Sequence, residues 1–302
     1  MKTLWTWLKR ITAGVVVLIA VVVIGLWISF YFWRQESIEA LPGKSTVIET
    51  SSGPVEYLLQ GNSDKYILVA HGTPLSYRTF GLNPLLEAGY SIISPSRPGY
   101  FRTPISTGST SEAQADAYAA LLEALQIDSV AILAISGGGP STLQFALRHP
   151  DKCTHMILLS TLVKKMPPQN PSFIEKVFST EFGTYIAMQM ALSNFDDDDT
   201  AMEAEKYVQY SMFPFYENRE GLQNDRKVFT SLKEYPYEEI VDPTLIIHGT
   251  SDPLIPISHA EEIAATMPNA TMMALEGKDH FQVVFFEFDK TLEMVMDYLD
   301  DN

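Results

Sequence analysis

The sequence predicts an α/β fold, a mostly parallel sheet with helices on both faces, behind an N-terminal transmembrane helix. Two observations predict it. Short apolar runs alternate with helical stretches over most of the chain, and the first 34 residues contain a long run without charge. Because parallel strands must be joined by crossover helices, alternation of the two elements indicates a parallel sheet. The 302 residues suffice for one large domain or two small ones.

The N-terminal segment, residues 1–34, is predicted to be a membrane anchor. Its span, residues 11–33, contains no charged residue. At about 1.5 Å per residue this run forms a helix of roughly 34 Å, enough to cross a hydrocarbon core of about 30 Å. Aromatic residues typical of membrane interfaces flank both ends, namely Trp5, Trp7, Trp27, Tyr31 and Trp33. A cleavable signal peptide is the alternative, but its apolar core spans only about 7–15 residues.

Charge predicts the orientation of this anchor and excludes one class of partner. Lys2, Lys9 and Arg10 precede the span, whereas Arg34 after it is followed by Glu36 and Glu39. The positive-inside rule then places the N-terminus in the cytoplasm and the large domain on the outer face. The net charge of −16 is expected to repel nucleic acid. The expected partners are a lipid bilayer and a small-molecule substrate.

Behind the anchor we predict a linker at 35–43 and an α/β domain at 44–302. Strand-like runs fall at 45–49, 55–59, 66–70, 91–94, 130–135, 156–160, 244–248 and 271–275. Helical stretches fall at 77–88, with Pro84 marking a start inside it, and at 111–125 and 140–148. Region 163–237 shows no clear buried strand and is too long for a plain loop. It is predicted to be a helical cap, and its acidic run 196–199 a solvated turn.

The sequence Ala134-Ile135-Ser136-Gly137-Gly138 lies between a predicted strand and a predicted helix. A serine on a sharp strand-to-helix turn needs small neighbours, because its backbone is strained and other elements crowd it. Such a turn aims the Gly137 N–H at a developing oxyanion. The alternative is a glycine-rich helix start that binds phosphate, but no Gly-Lys-Ser/Thr of a P-loop follows.

A second loop, His71-Gly72-Thr73-Pro74, directly follows the strand at 66–70. A glycine-permitted turn here can aim the Thr73 N–H at the same oxyanion, whereas Pro74 has no N–H to give. His71 is interpreted as a structural histidine that holds this loop rather than as a catalytic residue.

Two further polar residues follow the last two predicted strands. Asp252 comes after the strand at 244–248, and His280 after the strand at 271–275. A serine hydroxyl needs a base to take its proton, and the base needs a carboxylate to orient it. Both residues fall at the carboxyl ends of strands, where open α/β sheets bind ligands. Asp279 is the competing acid, but as the neighbour of His280 it is expected on another face of the loop.

The loop Ser96-Arg97-Pro98-Gly99-Tyr100 follows the strand at 91–94 at the same edge. Arg97 is a candidate contact for a substrate carboxylate, although hydrogen bonds to neighbouring loops are the favoured interpretation. Tyr100, Phe101 and the cap aromatics Phe213, Phe215 and Tyr216 are candidates for an apolar pocket, with packing as the alternative. The six histidines show no metal-ligand spacing such as His-Glu-x-x-His, so we expect neither a metal nor a cofactor.

With these four motifs in this order, residues 44–302 resemble the α/β-hydrolase superfamily. The resemblance implies an eight-stranded sheet, Ser136 as nucleophile, Asp252 as acid, His280 as base, and oxyanion donors at Thr73 and Gly137. Ala134 stands where the family more often has Gly, and Ile135 where it often has His. The family's alternative acid position, after the strand ending near Ser160, holds no carboxylate.

The expected function is that of a membrane-anchored serine hydrolase that forms an acyl-enzyme, with a carboxylic ester as the default substrate. Aminopeptidase, lactonase and C–C bond hydrolase activity use the same mechanism and stay open. A ligand-binding or scaffold protein on the same fold is the non-enzyme alternative.

Overall fold

The computed structural model describes residues 2–39, 45–79, 81–168, 180–192, 202, 205–206 and 209–302. The chain forms two compact units. The first comprises Met1–Pro42 and Pro171–Asp196, and the second comprises Gly43–Asn170 and Asp197–Asn302. We call them the helix-pair unit and the hydrolase unit. The predicted acidic turn at 196–199 and the linker residues 40–43 lie outside the described residues.

The hydrolase unit is built on the expected eight-stranded sheet. Its strands are β1 (Thr46–Thr50), β2 (Gly53–Gln60), β3 (Tyr66–Ala70), β4 (Ser91–Pro95), β5 (Val130–Ile135), β6 (Cys153–Leu159), β7 (Thr244–Gly249) and β8 (Ala270–Leu275). The spatial order is β1-β2-β4-β3-β5-β6-β7-β8. The pairs β1–β2 and β2–β4 are antiparallel and the others are parallel. Each predicted strand is therefore present, and the β1–β2 hairpin forms the antiparallel edge of the sheet.

Helices cover both faces of this sheet, as predicted. The α-helices of the hydrolase unit whose bounds fall among the described residues include α2 (Asn83–Glu87), α3 (Ser111–Leu125), α4 (Gly139–Arg148), α6 (Arg219–Ser231), α7 (Ser258–Thr266) and α8 (Phe288–Asp301). Thr110 caps α3, because its hydroxyl accepts a hydrogen bond from the Ala113 N–H at 3.2 Å.

The apolar core lies in two layers, one on each face of the sheet. Side chains alternate between faces along a strand. Leu68 and Ala70 of β3 accordingly pack in one layer with residues of α3 and α4. Ile67 and Val69 pack in the other layer with residues of α8. This double burial explains why the central strands consist of unbroken apolar runs.

The helix-pair unit contains α1 (Lys2–Glu39) and α5 (Glu181–Leu192). The segment Trp5–Glu39 has a mean hydropathy of 2.9 in its most apolar window, and that window has no buried residue, so α1 could cross a membrane by length and composition. The prediction of a linker at 35–43 was wrong for residues 35–39, which continue the helix. No Gly or Pro interrupts them, and the Ser37 hydroxyl donates to the Trp33 carbonyl at 2.6 Å.

The predicted cap at 163–237 is helical in its described part, which contains α5, α6 and short 3₁₀ turns at Phe215–Asn218 and Tyr237–Glu239. The insertion is divided between the two units. Residues 171–196 belong with α1 in the helix-pair unit, and only the flanking parts belong to the hydrolase unit. The physical reason is a set of aromatic contacts between α5 and the last turns of α1.

Candidate active site

The connection between β5 and α4 holds Ser136 in a strained backbone conformation. Its φ angle is +50°, in a region that non-glycine residues rarely adopt. The chain is also tightly packed here, because a Cβ added to Gly138 would lie 2.2 Å from the Ala70 carbonyl oxygen. Only a glycine fits so close to β3. This is the crowding that the small residues around Ser136 indicate in the sequence.

Ser136, His280 and Asp252 are brought together by the loops after β5, β8 and β7. His280 Nε2 lies 3.1 Å from the Ser136 hydroxyl oxygen. His280 Nδ1 lies 2.7 Å from Asp252 Oδ2. The carboxylate is therefore linked through the imidazole to the serine hydroxyl, over residues that are far apart in the sequence.

The surroundings of Asp252 favour its charged form. Oδ1 accepts hydrogen bonds from the backbone N–H groups of Leu254 and Ile255, both at 2.9 Å. Burial opposes ionisation, but the hydrogen bond from His280 and these two N–H groups outweigh it and hold the pKa of Asp252 below its ordinary value. An ionised Asp252 requires the proton of the His280 ring to sit on Nδ1, which leaves Nε2 free to accept the Ser136 proton.

Thr73 and Gly137 lie against each other beside Ser136. A Cβ added to Gly137 would lie 2.5 Å from the Thr73 hydroxyl oxygen, and one added to Gly72 would lie 3.2 Å from the Ser136 Cβ. The loop after β3 therefore touches the turn after β5. Gly137 also lies in the 3₁₀ turn directly before the N-terminal end of α4, where the helix dipole favours negative charge.

A buried carboxylate that the sequence did not single out fixes the Thr73 side chain. Asp225 of α6 accepts two hydrogen bonds from the guanidinium of Arg97, at 3.0 and 2.5 Å. It also accepts the Tyr100 hydroxyl at 2.5 Å and the hydroxyl of Thr73. Thr73 in turn accepts a hydrogen bond from Arg97 at 3.0 Å. Asp225 and Arg97 side chains are each only 2% exposed.

The electrostatics of this cluster are those of a desolvated ion pair. Burial disfavours the charge on Arg97, but Asp225, Tyr100 and Tyr118 together outweigh it and raise the pKa of the guanidinium. Burial, with Asp225 as a second cause, raises the pKa of Tyr100 well above its ordinary value. The cluster therefore contains one cation, one anion and a neutral phenol. In the sequence, α6 shows only the pattern of an amphipathic helix. That pattern does not mark Asp225 as a residue of the site.

His71 links the loop after β3 to the loop after β4 through two hydrogen bonds. Its Nδ1–H donates to the Gly72 carbonyl at 2.8 Å, and its Nε2 accepts the Arg97 backbone N–H at 2.9 Å. Burial and the Arg97 charge lower the pKa of His71 well below its ordinary value. His71, Arg97 and Tyr100 are all buried and make loop contacts. They are absent from the described lining of the pocket beside Ser136.

The competing acid and the neighbouring histidines have other partners. Asp279 Oδ1 accepts the Gln282 N–H at 2.8 Å and caps the following turn. His248 donates to the Ile255 carbonyl at 2.8 Å, which holds the loop that carries Asp252. His259 Nδ1 accepts the Val163 N–H at 3.2 Å, and burial lowers its pKa to about 4. In the described residues, no three His, Cys, Asp or Glu side chains form a group suited to a metal ion.

An apolar pocket of about 170 Å³ opens beside Ser136. Its lining comprises Thr73, Ser136, Gly137, Leu162, Met166, Pro167, Arg226, Phe229, Thr230, Leu254 and Ile255. Among these described residues Arg226 is the only charged one. The aromatic candidates Tyr100, Phe213, Phe215 and Tyr216 are not in this lining, and Tyr100 and Phe213 are fully buried.

Comparison with known proteins agrees with the fold. The sequence model of the alpha/beta hydrolase fold family matches residues 65–286. An uncharacterized hydrolase, YcgS, of Bacillus subtilis is 28% identical over 84% of this chain and 97% of its own length. A 2-hydroxy-6-oxononadienedioate/2-hydroxy-6-oxononatrienedioate hydrolase of Dechloromonas aromatica is 26% identical over 79% of this chain and 88% of its own.

Among solved structures, an alpha/beta hydrolase fold protein from Nakamurella multipartita superimposes with a TM-score of 0.72. The two chains are 23% identical, and the superposition covers 85% of this chain and 99% of the other. At this identity the likeness concerns the fold alone.

Proposed function

This chain belongs to the alpha/beta hydrolase fold family, and we propose that it is a membrane-anchored serine hydrolase that cleaves short carboxylic esters through an acyl-enzyme. The observation that carries the proposal is the hydrogen-bonded series from Asp252 through His280 to Ser136. The strained φ angle of Ser136, at the mouth of an apolar pocket, supports it. Anchoring through α1 rests on the length and hydropathy of that helix.

The proposed reaction begins when His280 Nε2 takes the hydroxyl proton of Ser136 and the oxygen attacks the ester carbonyl. The tetrahedral intermediate carries a negative charge on the former carbonyl oxygen, which the N–H groups of Thr73 and Gly137 stabilise. His280 then gives its proton to the leaving alkoxide, and an acyl-Ser136 ester remains. Water deacylates it by the same steps, with His280 again as base.

The role of Asp252 is to hold His280 and to stabilise the imidazolium that forms. Its Oδ2 faces His280 while its Oδ1 is occupied by two backbone N–H groups. The carboxylate is therefore fixed in orientation before substrate binds. Such preorganisation avoids reorganisation during the reaction.

The pocket supports the substrate class. Leu162, Met166, Phe229 and Ile255 give it an apolar wall. Its volume of about 170 Å³ is below the range of about 300–1,000 Å³ typical of ligand sites. A short acyl or alcohol group fits these dimensions better than a long chain. Lactones share this chemistry and are tested beside linear esters.

One observation favours a second candidate, hydrolysis of a C–C bond in an acidic substrate. Arg226 lines the pocket, and a guanidinium is suited to bind a carboxylate. The name of the Dechloromonas aromatica relative describes a dioate as its substrate. The same nucleophile, base and acid would serve this reaction.

A turnover screen of the full chain in detergent tests the proposal. The substrates are p-nitrophenyl esters of increasing acyl length, a lactone, an aminoacyl amide and a 2-hydroxy-6-oxo-dienedioate. We expect the fastest turnover on short esters and its loss in Ser136→Ala. A folded chain that turns over none of these substrates would favour a ligand-binding or scaffold role.

Arg226→Gln separates the two candidates. For a neutral ester we expect little change in kcat/KM, because such a substrate carries no carboxylate for Arg226 to bind. For a dicarboxylate substrate we expect KM to rise strongly. Arg219→Gln, on the same helix but absent from the described pocket lining, is the matched control.

A further inference from the structure

We propose that helix α5 lies in the interfacial layer of the membrane, beside the outer end of α1, and is a second lipid contact of the protein. The inference rests on the proposed anchor. It adds that an element inserted between β6 and β7, and not only the N-terminus, meets the bilayer.

Within the helix-pair unit, α5 packs against the end of α1. The α1 side chains with described burial are exposed along its apolar span up to residue 29, but Phe30 and Trp33 are buried. Tyr185 of α5 covers both, with ring centroids 5.6 Å from Phe30 and 5.1 Å from Trp33. The Ser29 and Tyr185 hydroxyls are hydrogen-bonded at 2.8 Å. Helix α5 therefore contacts one defined part of α1, its last turns.

The depth of this contact follows from the residues that make it. Aromatic side chains at the end of a transmembrane span sit at the headgroup level, and α5 contacts α1 at residues 29–34. Arg34 pairs with Glu181 at 2.9 Å at one end of the contact, while Phe30 meets Phe182 at 5.5 Å towards the span. Because charges avoid the hydrocarbon core, this order places the ion pair towards water and the phenylalanines towards lipid.

The composition of α5 indicates that lipid contacts the faces of this helix that do not pack on α1. After Glu181, which is paired with Arg34, the eleven remaining residues of α5 carry no charge. Met190 is 62% exposed. An uncharged helix at headgroup depth buries its remaining apolar surface in the boundary between headgroups and acyl chains. Lipid, rather than a second protein, is the occupant because the surface continues from the belt of the anchor.

Because α5 lies within an insertion of the hydrolase unit, the chain passes between the two units more than once. Met166 and Pro167 line the pocket, and the chain enters the helix-pair unit at Pro171. It returns to the hydrolase unit at Asp197. The hydrolase unit is therefore tied to a membrane-associated unit by three chain connections instead of one.

The test uses the full chain reconstituted in phosphatidylcholine vesicles. Met190→Cys is labelled with an environment-sensitive fluorophore, and vesicles with and without lipid spin-labelled near the headgroup are compared. We expect a blue-shifted emission and loss of most of the fluorescence with spin-labelled lipid. Gln189→Cys gives a second reporter. Val241→Cys, 60% exposed in the hydrolase unit, is the control and should keep its emission.

The native cysteine and tryptophans supply two further controls. Burial, together with Asp242, raises the pKa of the Cys153 thiol well above its ordinary value, so the unsubstituted chain should not label at neutral pH. All four tryptophans lie in α1, so their quenching by brominated lipid tests the anchor separately. Quenched tryptophans with labels on α5 as unquenched as the Val241→Cys control would overturn the inference and leave the anchor standing. Unquenched tryptophans would overturn both.

Discussion

Two ion pairs hold the region between β6 and β7, and they differ in their surroundings. Asp225 pairs with Arg97 inside the hydrolase unit, where both side chains are 2% exposed. Glu181 pairs with Arg34 inside the helix-pair unit, where the side chains are 19% and 27% exposed. A desolvated pair depends on complete hydrogen bonding, whereas a partly solvated one loses little when broken. The comparison indicates that α6 is fixed to the candidate site by polar contacts and α5 is held to α1 mainly by aromatic packing.

The largest effect is expected from Asp225→Ala. The substitution leaves Arg97 charged and buried without its partner, and removes an acceptor from Thr73 and Tyr100. We expect a loss of about 3–5 kcal/mol in the free energy of unfolding. Urea unfolding of the full chain in detergent measures it. The Arg97→Met/Asp225→Leu double variant should recover part of the loss, and failure of Asp225→Ala to destabilise the chain would contradict this account.

Thr73→Val tests whether Thr73 affects catalysis in addition to the stability of the surrounding fold. The valine keeps the shape but neither donates to Asp225 nor accepts from Arg97, so we expect about 1–3 kcal/mol of destabilisation. We also expect kcat to fall more than KM changes, because the substitution removes the side-chain contacts that hold Thr73, whose N–H is proposed to act on the oxyanion. Thr230→Val is the matched control, since among the described residues that pocket hydroxyl donates to carbonyls of its own helix. Equal kinetics of the two variants would refute the role of Thr73.

Protonation of histidines at low pH should affect the stability of the hydrolase unit, because all six histidines lie in it. Burial lowers the pKa of His259 from 6.5 to about 4. Below pH 6.5 the unfolded chain therefore binds a proton that the folded chain does not. Stability should fall as pH falls from 6.5 towards 4, by up to about 1.4 kcal/mol per pH unit for this group. Calorimetry of the wild type and His259→Gln should show a weaker pH dependence in the variant.

The smallest effect is expected from Glu181→Gln. The substitution breaks the pair with Arg34 but keeps the shape of the side chain, so we expect at most about 1 kcal/mol. Hydrogen exchange of peptides from α5 measures the local change. Tyr185→Ala, which removes the ring packed on Phe30 and Trp33, should increase exchange much more. The reverse order would mean that the ion pair, not aromatic packing, holds α5.

The sequence predicted the sheet, because its central strands are buried on both faces and appear as unbroken apolar runs. It also predicted which loops meet, since Thr73, Ser136, Asp252 and His280 each follow a strand and the carboxyl ends of parallel strands share one edge. It did not predict Asp225 or the pocket lining from Phe229 and Ile255. These depend on how helices pack, which local patterns do not encode.

The division of the insertion was also beyond the sequence. Tyr185 and Phe182 meet residues about 150 positions earlier, and a helical pattern does not say which partner its apolar face takes. The end of α1 was misjudged for a simpler reason. Polar residues after an apolar span were interpreted as a linker, although Gln35, Glu36 and Ser37 continue a helix without a break.

Covalent labelling at Ser136 tests the central proposal most directly. The full chain in detergent is treated with a fluorophosphonate probe, and intact mass and peptide mapping locate the adduct. We predict one adduct on Ser136, absent from Ser136→Ala and much slower to form in His280→Gln, because the unactivated hydroxyl is a weak nucleophile. Labelling that persists in a folded Ser136→Ala, or no labelling of an active wild-type chain, would contradict the proposed mechanism.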